Sequence, residues 1–448
     1  MVKDFKSFMK MVMVLVVPIA LQNLINVGVN AADVLMLGKV SEEELSGASL
    51  GGQVQFIMTL IFFGLTSGAS VLVAQYWGKK DVVTIEKVLA IAIRLSIAVA
   101  VLFTLITYVY PESIMRLLSS DALVIQEGVK YLRIVCFSYI FTGMTMVYLN
   151  ILRSVENVMI STLVYLNSLV INIIGNAVFI FGLFGFPEMG IQGAALSTFM
   201  ARVIEFVIVV YYDRRRNKIF QFKLKMLFQR DKVLSADFVK FSMPVVANEL
   251  LWGSGMAVIA AIIGQMGSAA SAANSIVQVV RQLATVLSLG IASSAAIIVG
   301  KTLGEGNMKA AKVYSDRMVG LSIATGLLGS AVVWIVRPIA LSTMTLSAEA
   351  AGYLSVMMFV MSYFVVAQAF NTNMILGIFR AGGDTKFGLM IDVGFMWCFS
   401  IAFGALAAFA LGWSVPVVYV ILLSDELFKV PFSVKRYLSG KWLRNVTR

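Results

Sequence analysis

Apolar windows about as long as a bilayer is thick recur along the whole chain. They lie near residues 12–36, 52–77, 88–110, 130–151, 159–184, 191–212, 238–263, 275–300, 318–337, 352–378, 387–411 and 413–432. About 20 apolar residues at ~1.5 Å of helical rise cross the hydrocarbon layer of a membrane. The pattern therefore predicts an all-α integral membrane protein with twelve transmembrane helices. The exceptions inside the windows are more informative than the windows. The first one contains Pro18, Gln22, Asn26, Asn30 and Asp33. At about 100° per residue the four polar side chains fall near 0°, 40°, 80° and 20°, a single stripe on an otherwise apolar rod.

The pattern also repeats. Pro18-x-x-x-Gln22-Asn23-Leu24 returns as Pro244-x-x-x-Asn248-Glu249-Leu250, a displacement of 244 − 18 = 226. The same displacement carries Gly38 to Gly264, Gly64 to Gly290, Ser67 to Ser293 and Gly78 to Gly304. After a slip of one residue, Arg153 and Asn157 fall on Arg380 and Asp384. Six spans separate the copies, an even number, so both run the same way. The expected architecture is two six-helix lobes related by pseudo-two-fold symmetry along the membrane normal, as in transporters that rock two halves about a central site. The corresponding boundaries are residues 1–212 and 237–433 for the lobes. Residues 213–236 form a basic linker and 434–448 a basic tail.

Composition narrows the function classes. Of the 448 residues, 59% are hydrophobic and 13% charged, which excludes an ordinary soluble domain. Histidine is absent, so no imidazole relay, His metal ligand, HExxH motif or Ser-His pair can exist. Cys136 and Cys398 both lie in apolar segments, which argues against a disulfide framework or a zinc site. No phosphate-binding glycine motif is present, so no enzyme and no cofactor are expected. The net charge of +12 sits beside hydrophobic spans, so its expected partner is the lipid headgroup layer and not nucleic acid. The cluster Arg214, Arg215, Arg216, Lys218, Lys223, Lys225, Arg230 and Lys232 falls on the same side as Lys79, Lys80, Lys87, Lys301, Lys309, Lys312 and the tail. That bias puts both termini in the cytoplasm of a multi-pass membrane protein. Lys3, Lys6 and Lys10 before an apolar run would also suit a cleavable leader, but the segment's mid-chain twin favours a span.

The buried polar residues are the candidate chemistry. A mid-membrane carboxylate is costly and faces protein or water, so Asp33 reads as functional. Gln22 and Asn26 read either as interhelical hydrogen bonding or as part of the same site. Pro18 marks a bend or a helix start. Asn172 and Asn176 share a helix face, and Thr198 lies in the next span. With Asp33 they supply hard oxygens suited to Na⁺ or to a shuttled proton. In the second half the nearest basic residue along Glu249's own segment is Lys240, nearer the interface, so a local salt bridge does not explain it and Glu249 reads as functional. Asp384, in "RAGGDT", reads as an N-cap or as functional. Asp392 sits well inside the following span, whereas Asp425 and Glu426 read as interfacial partners of Lys429.

The stretches "PIALQNLINVGVNAADVLMLGKV", "GLTSGASVLVAQYWGKKD", "NIIGNAVFIFG", "GIQGAALST", "PVVANEL" and "RAGGDT" together resemble the multidrug and toxic compound extrusion (MATE) transporters, NorM-like bacterial branch, over essentially the whole chain. The resemblance implies a monomer in the bacterial inner (plasma) membrane that exchanges organic cations and drug-like amphiphiles for Na⁺ or H⁺. It implies that Asp33, Asn172, Asn176 and Thr198 form the N-lobe cation site. Asn176 stands where some relatives have a second aspartate, which favours Na⁺. Glu249 and Asp384 match C-lobe acidic residues implied in coupling or substrate binding. The alternative is a flippase of lipid-linked precursors from the same wider superfamily, for which Arg94, Arg133, Arg202 and Arg281 would supply cationic contacts.

Overall fold

A computed structural model describes residues 4–229, 231–343 and 346–448, so Lys3 and Arg230 lie outside the described residues. The described residues contain helices and no strand. This follows from the bilayer, in which every backbone N–H and C=O must be satisfied within its own segment. In order the helices are α1 (Phe5–Leu37), α2 (Glu42–Gly78), α3 (Val82–Val109), α4 (Pro111–Leu118), α5 (Ala122–Val135), α6 (Ser138–Ser154), α7 (Met159–Phe181) and α8 (Gly190–Arg215). They continue as α9 (Lys232–Gln265), α10 (Ser268–Gly304), α11 (Met308–Thr343), α12 (Ala348–Thr372), α13 (Thr385–Phe395), α14 (Ala402–Ala405), α15 (Val415–Leu422) and α16 (Asp425–Leu438). Ten spans among the described residues are long and apolar enough to cross a membrane. The pair α5–α6, bent by 55°, makes an eleventh.

The remaining expected span is broken. The window at 413–432 is realised as α15 and α16, separated by Leu423 and Ser424. The break has a local cause: Asp425 and Glu426 open α16, where the helix dipole favours negative charge, and the Asp425 amide donates to Ser400 Oγ at 3.0 Å. Three π-helical turns, Asn373–Phe379, Met396–Ile401 and Leu406–Ala410, widen the adjoining helices of the same half. Exposed apolar rows such as Leu102, Leu105 and Val109 on α3 are the outward face expected of a lipid-bathed helix.

The chain divides into two compact units. One comprises Leu21–Ala69 and Asp81–Lys240, and the other Met1–Ala20, Ser70–Lys80 and Phe241–Arg448. In the first, α7 packs on α8, and α3, α5 and α8 surround α6. In the second, α10 packs against α11, α12 and the π turn that follows α12. Two helices change unit along their length: α1 between Ala20 and Leu21, α2 between Ala69 and Ser70. Pro18 lies inside α1, thirteen residues after its first residue, so it does not start the helix; it sits next to the change of unit.

The second unit also records the repeat in atomic terms. A Cβ on Gly78 would lie 2.0 Å from the Lys301 carbonyl oxygen, and one on Gly304 would lie 1.8 Å from that of Gln75. Gly304 is the 226-residue counterpart of Gly78, and Lys301 that of Gln75. The contact is thus reciprocal, each copy's glycine resting on the other copy's backbone, as across a two-fold axis. Side chains do not fit there, so only glycine permits the approach.

Candidate functional site

In the first unit, α1 presents Asp33 to α7. Asn176 Nδ2 donates to Asp33 Oδ1 at 2.5 Å and lies 3.3 Å from Asn172 Oδ1. A charge-assisted bond of that length fixes the carboxylate against the α7 face that the i,i+4 spacing of the two asparagines creates. Asn172 and Asn176 are buried and Asp33 is half-buried. Asn176 Oδ1 has no partner, which leaves a buried acceptor beside a carboxylate, worth about 1–3 kcal/mol to whatever donates to it. Behind α7, Ser197 Oγ donates to the Asn172 carbonyl at 2.9 Å. That approach depends on Gly175, where a Cβ would lie 2.4 Å from Ser197 Oγ. Arg202, within electrostatic reach of Asp33, is itself paired through Nη1 to Glu205 at 2.7 Å.

The opening stripe is used unevenly. Gln22 is buried, and its Nε2 donates to Thr162 Oγ1 at 2.8 Å, while its Oε1 accepts from Arg153 Nη1 at 3.3 Å. Asn26 and Asn30 are exposed. Thr198 is buried but makes no hydrogen bond to Asp33, Asn172 or Asn176 among the described residues; its neighbour Ser197 makes the contact to α7.

In the second unit Glu249 does have a basic partner, from a distant helix. Arg380 Nη2 lies 2.7 Å from Glu249 Oε1, both side chains being at most 10% exposed. Arg380 is the repeat counterpart of Arg153, and Glu249 of Asn23, so the same arginine position turns to neighbouring helix positions in the two copies. Asp384 stands at the N-cap position of α13, but its side chain makes no capping bond. It is held instead by Arg436 through Nε at 2.7 Å and Nη2 at 2.9 Å. Asp392 receives Lys429 Nζ at 2.8 Å and Asn248 Nδ2 at 3.0 Å. Asp425 and Glu426 do pair with Lys429, but the group is buried and not interfacial, with Lys429 only 1% exposed. The broken last span brings them inward.

Sequence reasoning missed Ser197, Arg202, Glu205, Arg380 and Arg436 as members of these groups, and it paired Lys429 with Asp425 and Glu426 but not with Asp392. The displacement of 227 that pairs Arg153 with Arg380 was the available signal for one of them. Among the described residues no three acidic or thiol side chains are arranged to hold a metal ion.

The model of the MatE family matches residues 18–178 and again 244–406, two copies on the two halves. Over 415 residues the chain is 22% identical to the uncharacterized transporter YisQ of Bacillus subtilis, covering 92% of this chain and 90% of that one. It is 24% identical over 419 residues to the probable multidrug resistance protein NorM of Agrobacterium fabrum, covering 91% and 88%. Among solved structures it superposes on an outward-facing multidrug resistance MATE transporter of the MOP superfamily with a TM-score of 0.87 at 18% identity, over 96% of each chain. A MOP superfamily transporter from Pyrococcus furiosus, described as having a binding pocket of reverse polarity, gives 0.85 at 18%, again over 96% of each chain.

Proposed function

The chain belongs to the MatE family, a family of multi-pass membrane transporters and not of enzymes, and from that premise we propose that it is a cation-coupled antiporter that expels organic cations and drug-like amphiphiles as Na⁺ or H⁺ enters. The observation that carries this reading is the Asp33–Asn176–Asn172 constellation: a carboxylate, half-buried in a membrane helix, held by one amide and flanked by an amide oxygen that has no donor. Such a group binds a small cation and changes its helix when it does.

The coupling uses α1. The ion at Asp33 acts on the part of α1 that belongs to the first unit, while the residues before Leu21 belong to the second. Pro18 removes one backbone hydrogen bond just before that change and supplies a bending point. Antiport then needs only that ion and substrate favour different states of the protein. Glu249 and Asp384 enter as members of ion pairs with Arg380 and Arg436, and a substrate cation engages them by competing with those arginines. Both termini are cytoplasmic and the protein acts in the plasma membrane as a monomer.

The test is efflux of a fluorescent organic cation from proteoliposomes under an imposed Na⁺ or H⁺ gradient. Asp33→Asn is expected to lower gradient-driven efflux about 5–150-fold, the span of ordinary coupling energies. Full activity in that variant, or no wild-type transport under either gradient, refutes the reading.

A further inference from the structure

Buried in the second unit, three carboxylates share one lysine. Lys429 Nζ lies 2.8 Å from Asp392, 2.7 Å from Asp425 and 3.0 Å from Glu426, and its side chain is 1% exposed. We infer that this cluster is a proton-exchange site of its own, taking up one proton on the Asp392–Asp425–Glu426 group, separate from Asp33.

Charge counting leads there. The groups that face the cluster from every packed element are Asn248 and Glu249 on α9, Arg281 on α10, Asn371 on α12, Arg380 after it, Asp392 on α13 and Tyr419 on α15. Asp425, Glu426 and Lys429 lie on α16. Four carboxylates stand against Lys429, Arg380 and Arg281, so one negative charge is left over in a membrane interior. A buried uncompensated charge costs several kcal/mol, and a proton removes it. A purely structural ion pair does not call for the surplus. At the displacement of 227 that carries Arg153 to Arg380, Arg202 falls on Lys429, and Arg202 forms one close ion pair, with Glu205, with Asp33 within electrostatic reach. The second copy sets three carboxylates directly on the corresponding cation where the first sets one.

An independent feature points to the ligand. Asn248 Nδ2 donates to Asp392 Oδ2 at 3.0 Å and Asn371 Nδ2 to Glu426 Oε2 at 2.8 Å. Both side chains are at least 97% buried, and the Oδ1 of each has no partner. An amide that holds a carboxylate through N–H presents its oxygen to the same place after a half-turn, and a carboxylic acid O–H is the donor that would use it. Asn371 Nδ2 also donates to the Glu426 carbonyl at 2.6 Å, so its half-turn would set oxygen against oxygen; Asn248 is the side chain matched to both protonation states of Asp392. A metal ion suits it less: Lys429 Nζ occupies the point that the three carboxylates share, and among the described residues no three acidic side chains are placed to hold a metal ion. With such coupling the proton belongs to the group and not to one residue.

The measurement is pH-difference infrared spectroscopy of the full-length protein in liposomes, in the Asp33→Asn background, without substrate or gradient. A carboxylic C=O band corresponding to one proton per chain is expected, lost in Asp392→Asn/Glu426→Gln. Lys429→Gln, which removes a cation, is expected to double the band, and it keeps the test open where the double variant fails to fold. A band unchanged in both variants overturns the proposal. So does a band that Na⁺ abolishes at fixed pH, which would make the ligand Na⁺. Because no transport is read, failure of antiport leaves this result standing, and its failure leaves the role of Asp33 untouched.

Discussion

Removing Arg380 should destabilise the protein through Glu249 far more than through lost packing. The guanidinium Nη2 and carboxylate Oε1 are 2.7 Å apart, with side-chain exposures of 5% and 10%. At an effective dielectric of ~20 their attraction is about 6 kcal/mol, most of it offset by the desolvation of both groups. Arg380→Met removes the attraction and leaves the desolvated carboxylate, a loss of about 3–5 kcal/mol. At about 2–4 °C per kcal/mol the melting transition drops by roughly 6–20 °C. Glu249→Gln/Arg380→Met leaves no charge behind and should recover most of that loss. The assay is thermal unfolding followed by intrinsic fluorescence from the six tryptophans, over all four corners of the double-mutant cycle. Arg380→Met costing the same in both backgrounds would refute the argument, since the penalty would then come from arginine packing and not from a stranded charge.

Two further outcomes follow from the close contacts. Gly→Ala in a helix normally stabilises by about 0.5–1 kcal/mol, but Gly78→Ala and Gly304→Ala should each destabilise by about 1–3 kcal/mol, because the new methyl meets a backbone carbonyl at 2 Å or less. A raised melting temperature in either variant would contradict the packing. Gln75 donates to the carbonyls of Ala381 at 2.7 Å and Arg444 at 3.1 Å, and accepts from the Val446 amide at 2.7 Å. Gln75→Leu should release the tail, and limited trypsinolysis should then cut at Lys441 or Arg444 faster than in wild type; an unchanged cleavage rate would show that the tail is held by other contacts.

The helices were legible because hydrocarbon leaves the backbone one economical solution, and the apolar windows give their order and approximate extent. The repeat was legible because matched glycines and prolines keep a fixed displacement. Within the candidate site, Asp33, Asn172 and Asn176 could be grouped because helical periodicity puts the asparagines on one face and a lone carboxylate stands out against apolar neighbours. Thr198 was read as the hydroxyl of the site, whereas Ser197 makes the contact to α7; a shift of one residue on a helix turns a side chain by about 100°. The partners of Glu249 and Asp384, Arg380 and Arg436, lie 131 and 52 positions away along the chain, beyond what local spacing can reveal. The inward turn of Asp425 and Glu426 depends on a two-residue break between α15 and α16 that hydropathy averages away.

The reciprocal glycine contact also bears on how such a chain arises. If the halves descend from one duplicated segment, an ancestral pair of separate copies would have met at this position, each glycine facing the identical copy's carbonyl. A single substitution there would have struck both sides of the joint at once. In a fused chain the two positions can vary separately, yet both are glycine and both touch the other's backbone. The halves differ in their acidic chemistry, with Asp33 in one and the Lys429 cluster in the other, while the glycine joint is the same in both.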